Sequence, residues 1–147
     1  MNPFEIFFTV PGAAVPKGRP KFARRGNFTV AYTPEKTVSF ENLVKSRADD
    51  AMNGQQMHMG PVSANIVIAL PVPTSWSKKN KEAALLGRIA PTKKPDSDNV
   101  IKAIFDAMNG IVFKDDAQVV VISTSKIYAQ SPSTLVQIKS TGQEAAK

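Results

Sequence analysis

The chain has 147 residues, 42% of them hydrophobic and 21% charged, and its 19 Lys and Arg outweigh 12 Asp and Glu to give a net charge of +7. That length and balance fit one globular domain and exclude wholesale disorder. With no cysteine and a single histidine, His58, disulfides, thiolate zinc sites, a thiol nucleophile and a multi-histidine centre are excluded within one chain, which leaves carboxylates for any metal site.

In chain order, residues 4–10 form a short apolar run broken by Glu5. The run predicts a strand; with no basic residue before it and no cleavage site, it does not read as an export signal. A loop follows through Pro16, Gly18 and Pro20, and residues 27–32 predict a short second strand. Thr33-Pro34 offers an N-cap and a first-turn proline for a helix over residues 34–51, where Phe40, Leu43, Val44, Arg47, Ala48 and Ala51 recur at helical spacing. Residues 64–70, bounded by Pro61 and Pro71, predict a buried strand. This stretch is far shorter than the roughly 20 residues of a membrane helix, and the expectation is a soluble cytoplasmic protein.

Ser75 or Ser77 caps a predicted short helix running to Leu86, with Gly87 at its end. Ser97 or Asp98 caps the next, whose apolar stripe is Val100, Ile101, Ile104, Phe105 and Met108 and which Gly110 closes. Residues 117–127 and 134–140 predict two strands, read as an antiparallel pair joined by a turn, and the tail after Gly142 reads as frayed. Strands and helices alternate without a regular βαβ rhythm. The expected architecture is α/β in the α+β sense: a single domain over residues 1–147, with helices packed on a mixed sheet.

Charge is unevenly spread along this framework. Residues 17–25 carry Lys17, Arg19, Lys21, Arg24 and Arg25 with no acid, and residues 78–94 carry Lys78, Lys79, Lys81, Arg88, Lys93 and Lys94 against Glu82 alone. Each segment sums to +5, whereas residues 96–116 sum to −3. Two basic segments around an acidic one suit a polyanion held beside a cation-binding pocket; a solvated basic surface is the plainer alternative.

The acidic segment has its own logic. Asp96 and Asp98 flank a helix start, where the backbone amides favour negative charge. Lys102 lies one turn after Asp98 and Asp106 one turn further, and Asp115-Asp116 precede an apolar strand. Carboxylates gathered together repel unless a cation compensates them, and hard oxygen donors suit Mg²⁺ or Mn²⁺. Such ions activate water and stabilise a leaving oxygen, while a nearby lysine neutralises charge in the transition state. By spacing alone, Asp98 can equally be a cap, Asp115-Asp116 a turn, and Lys102 with Asp106 a solvated helix pair.

The run Lys94-Pro-Asp-Ser-Asp-Asn-Val-Ile-Lys102, continued by Asp106-Ala-Met-Asn-Gly110 and Asp115-Asp-Ala-Gln-Val119, resembles the signature of RusA-type endodeoxyribonucleases, the Holliday junction resolvases of phages and prophages. Phe8-Thr-Val-Pro-Gly12, Pro16-Lys-Gly-Arg-Pro20, Tyr32-Thr-Pro34 and Ser75-Trp-Ser-Lys-Lys79 resemble the family's other blocks in order, so the likeness runs over residues 4–138. It implies a small homodimeric α/β protein that binds four-way junction DNA and cuts paired strands symmetrically with Mg²⁺. It also implies Asp96, Asp98 and Asp116 as metal-binding catalytic carboxylates, with Asp115 as an auxiliary ligand and Lys102 as the catalytic lysine.

On this reading the proline-spaced arm of Lys17, Arg19, Lys21, Arg24 and Arg25 follows a phosphate backbone, and Lys78, Lys79, Lys93 and Lys94 form a second DNA-binding surface leading into Asp96. Trp76, Phe22 and Phe28 are candidates to stack on exposed bases, with packing the plainer role for each. His58 reads as an exposed loop residue. Two rival readings carry less of the sequence. A junction-binding architectural protein has no use for acids beside phosphate, and a glycosyltransferase built on Asp96-Ser-Asp98 has little room at this length and no use for the basic arms.

Overall fold

The structure, a computed structural model, describes residues 3–18, 21–32 and 34–146. The elements run β1 (Glu5–Pro11), β2 (Lys21–Arg25), β3 (Phe28–Tyr32), α1 (Glu35–Met52), β4 (Val62–Pro71), α2 (Lys78–Leu85), α3 (Ser97–Met108), a single 3₁₀ turn (Asp116–Gln118), β5 (Val119–Ala129) and β6 (Ser133–Ser140). Four strands form one mixed sheet in the order β1-β6-β4-β5, and β2 and β3 form a separate hairpin. A mixed sheet with helices packed on it is the architecture the sequence implied.

Alternation builds the core. Ile6, Phe8 and Val10 of β1, Val62, Ala64, Ile66 and Ile68 of β4, and Val136 and Ile138 of β6 all point to one face. Against that face pack Phe40, Val44, Ala48 and Met52 of α1 and Val100, Ala103, Ile104, Ala107 and Met108 of α3. Both helices follow the 3.6-residue period, so each buries one stripe and leaves the other polar. On α3 that polar stripe carries Asp98, Lys102 and Asp106.

Several expectations need correction. The strands β5 and β6 do not pair with each other. β5 runs parallel to β4, and β6 runs antiparallel to β4 on its other side. Residues 130–132 look like a hairpin loop, but they cross the end of β4 instead, held where the Gly12 amide donates to the Pro132 carbonyl at 3.1 Å. β6 can then lie between β1 and β4, where both its edges are hydrogen-bonded. β5 also begins at Val119, because Asp116–Gln118 is a 3₁₀ turn.

The basic arm is more regular than proline spacing suggested. Lys21–Arg25 is a strand paired antiparallel with Phe28–Tyr32, with Gly26 in the turn at φ +61°. Arg19 and the proposed Thr33 cap lie outside the described residues; α1 starts at Glu35, with Pro34 in the cap position and no side-chain cap. α2 is capped by Ser77, whose Oγ accepts from the Asn80 amide at 3.2 Å. The cap of α3 is Asp96, not Ser97 or Asp98, and its carboxylate makes no capping bond. His58 is half-buried rather than exposed: its ring stacks on Phe4 at 4.9 Å, and its amide donates to the Val112 carbonyl at 3.0 Å.

Candidate active site

The site is assembled at the start of α3 by three chain segments. α3 presents Asp98, Lys102 and Asp106 one turn apart on its polar stripe. The loop after β1 is bound to α3 by the Lys17 amide, which donates to the Asn99 carbonyl at 2.8 Å. Thr37 fixes the same loop from α1: its Oγ1 donates to the Pro16 carbonyl at 3.2 Å and accepts from the Gly18 amide at 3.3 Å. A Cβ at residue 18 would meet Pro34 Cγ at 2.9 Å, so glycine is what lets the loop lie this close.

This anchoring delivers Lys17 into a chain of alternating charges. Its Nζ lies 2.6 Å from Glu41 Oε1 and 3.3 Å from Asp106 Oδ2, and Lys102 Nζ lies 3.6 Å from Asp106 Oδ1. Partial burial opposes the Lys17 charge, but hydrogen bonds to Glu41 and Asp106 outweigh it and raise the pKa above the ordinary lysine value. The Lys17 ammonium is therefore engaged inside the protein. Asp106 is half-buried between two lysines, which sets it apart from a solvated helix residue.

The 3₁₀ turn brings in the fourth acid. Asp115 serves as its cap, with Oδ1 accepting from the Ala117 amide at 3.3 Å. Asp116 faces α3. A hydrogen bond to the Asp115 carboxyl, burial, and the charges of Asp115 and Asp106 raise the Asp116 pKa, while Lys102 pulls it down. The same shared hydrogen bond and the Ala117 amide lower that of Asp115. Two adjacent carboxylates pushed in opposite directions mark a concentration of negative charge that a cation would relieve.

Asp96 stands at the rim, its Oδ2 2.7 Å from Lys94 Nζ in an exposed pair. Asp98 is exposed in the first turn of α3. Among the described residues, no three His, Cys, Asp or Glu side chains converge as they stand on a single metal position. The donor set nevertheless fits a hard divalent cation by its chemistry: Asp96, Asp98, Asp115 and Asp116 offer carboxylate oxygens, whereas Asp106 is already paired with Lys17 and Lys102. Of the basic residues proposed to hold DNA, Lys21, Arg24 and Arg25 project from the exposed hairpin, Lys78 and Lys79 open α2, and Lys93 and Lys94 lead into Asp96.

Two residues escaped the sequence reading. Glu41 pairs with Lys17 across 24 positions, and nothing in a single sequence links them. Gln118 fixes the acidic turn. Its Nε2 donates to the carbonyls of His58 at 2.8 Å and Gly60 at 3.0 Å, while its Oε1 accepts from the Lys114 and Asp115 amides at 2.9 and 3.2 Å. The Asp115-x-x-Gln118 spacing of a capping box was the available signal.

Acids able to gather a cation, a lysine among them and flanking basic segments are the working parts of an enzyme that hydrolyses nucleic-acid phosphodiesters. The comparisons narrow that class. The family described as endodeoxyribonuclease RusA matches residues 11–139, and the chain belongs to this family of DNA-cutting hydrolases. It is also 38% identical over 136 residues to the uncharacterized protein YqaN of Bacillus subtilis strain 168, covering 91% of this chain and 95% of that protein. No helix among the described residues is long and apolar enough to cross a membrane.

Proposed function

We propose that the protein resolves four-way DNA junctions, acting in a bacterial cytoplasm as a homodimer that makes paired symmetric cuts. The observation that carries the reading is the meeting of Asp116 with Asp106 and Lys102 on the polar stripe of α3, one turn from Asp98. Asp96, Asp98 and Asp116 would hold Mg²⁺ or Mn²⁺, with Asp115 auxiliary. Bound there, the ion provides Lewis-acid activation of water and stabilises the departing oxygen. Asp106 orients Lys102, whose ammonium is placed to neutralise charge that builds on the phosphate in the transition state. Lys93 and Lys94 would hold the backbone on approach, and a phosphate there would compete with Asp96 for the Lys94 ammonium.

The edge of the sheet supports a second copy. β5 ends the sheet and leaves Val120, Val121 and Ile122 each more than half exposed. The first half of this edge strand, residues 119–125, carries no charge and no proline and offers a pairing surface, and two-fold pairing matches the two-fold symmetry of a four-way junction. The test is a synthetic four-way junction with Mg²⁺, with cuts mapped on all four strands. Symmetric cuts in one opposed pair, absent from linear duplex, are expected; equal cutting of linear duplex contradicts the proposal.

A further inference from the structure

Beside the acidic cluster lies a cavity of about 510 Å³ that the reaction as described does not use. Its lining includes Trp76, Tyr128, Leu70, Ile89, Lys93 and Lys94. Trp76 is half-buried and meets Tyr128 edge to face, with ring centroids 5.3 Å apart at 66°. The volume falls in the range of small-molecule sites, and an apolar lining with a few polar groups at one side is their usual character.

Three features tie this cavity to the site. Lys94 lines it and also holds Asp96 at 2.7 Å. Pro95, which lines it too, is the residue before Asp96. The Lys93 carbonyl accepts from Lys126 Nζ of β5 at 2.7 Å, so the lysine-bearing rim is fastened to the sheet. A phosphodiester lying at Asp96 therefore has next to it a recess whose lining runs from Pro95 and Lys94 to the rings of Trp76 and Tyr128.

Resting on the proposed junction cleavage, we infer that this cavity takes one unstacked nucleobase from the strand being cut. The base would stack against Trp76 and Tyr128 while Lys93 and Lys94 hold its flanking phosphates. A paired base in a linear duplex cannot enter. A base at a branch point is the least costly to unstack, because its stacking is already interrupted. The cavity thus acts as a structural filter, admitting DNA whose helix is already broken next to the scissile phosphate.

Trp76 is the sole tryptophan of the chain, so its emission reports on the cavity directly. The experiment titrates the full-length protein, without divalent metal, with a four-way junction carrying a remote dye. Dye anisotropy reads binding and tryptophan emission reads the cavity. The expected result is emission quenched in step with binding, with the quench lost when the branch-point nucleotides are made abasic and the residual binding, held by the phosphates, weakened by roughly the 5- to 150-fold of one lost stack. Binding with unchanged emission, or a quench that persists on the abasic junction, overturns the base pocket and leaves junction cleavage standing. No binding of the junction overturns both. As a second measurement, Trp76→Ala weakens junction affinity roughly 5- to 150-fold, the range for one lost base–aromatic stack, without altering its salt dependence. Unchanged affinity in a folded variant contradicts the inference.

Discussion

Replacing Gln118 with Leu tests how the acidic turn is held. The side chain makes four hydrogen bonds, two to the carbonyls of His58 and Gly60 in a partly buried setting and two to the exposed amides of Lys114 and Asp115. Water replaces the exposed pair at little cost. The buried pair is worth about 1 kcal/mol each, so the variant should lose about 2 kcal/mol, or ~4–8 °C in Tm. Activity should fall further than stability, because the turn carries Asp116 and a displacement of about 1 Å can cost 100-fold in rate. Thermal unfolding by circular dichroism and junction-cleavage rates at a temperature where both proteins are folded provide the assay, with Gln130→Leu at an exposed turn as control. A Tm and a cleavage rate both equal to the control would refute the assigned role.

Lys17→Met strands the largely buried Glu41 carboxylate and should cost about 2 kcal/mol, read as a lower denaturant midpoint; if Glu41→Gln in the same chain recovers none of the loss, the pair is not coupled. The fold raises the Lys17 pKa above 10.5, so this contribution is fully present at neutral and mildly alkaline pH and fades only as pH climbs through the raised value. A midpoint difference between Lys17→Met and wild type that shrinks before that range contradicts the assignment. If the protein pairs through β5 as proposed, the wild type sediments as a dimer and Ile122→Lys as a monomer, without lowering Tm; a dimer unchanged by the substitution places the interface elsewhere, and a monomeric wild type contradicts the pairing. If the hairpin and the Lys78–Lys94 surface together neutralise six to ten phosphates, junction affinity falls about 10³–10⁵-fold between roughly 50 and 200 mM salt. A shallow slope excludes that footprint.

What could be read from the chain was local. The apolar stripe of α3 and the alternation in β1 and β4 each announce one element, because the period of burial is written in consecutive residues. Asp98, Lys102 and Asp106 fell on one stripe for the same reason. The placement of β6 between β1 and β4 was not legible, since a three-residue link after a strand suits a hairpin just as well. Nor was the Lys17–Glu41–Asp106 chain, which exists only once the loop has docked on α3. Asp115 and Asp116 look alike in sequence. The 3₁₀ turn separates them, giving one the cap and the other the approach to Lys102.

The central claim is that Asp96, Asp98 and Asp116 cut the DNA that the basic segments hold. Asp98→Asn removes one negative charge from an exposed side chain at the start of α3 and should leave the fold intact. Measured on one synthetic four-way junction with Mg²⁺, the variant should bind as tightly as the wild-type protein and make no cuts. Undiminished cutting by Asp98→Asn would contradict the account.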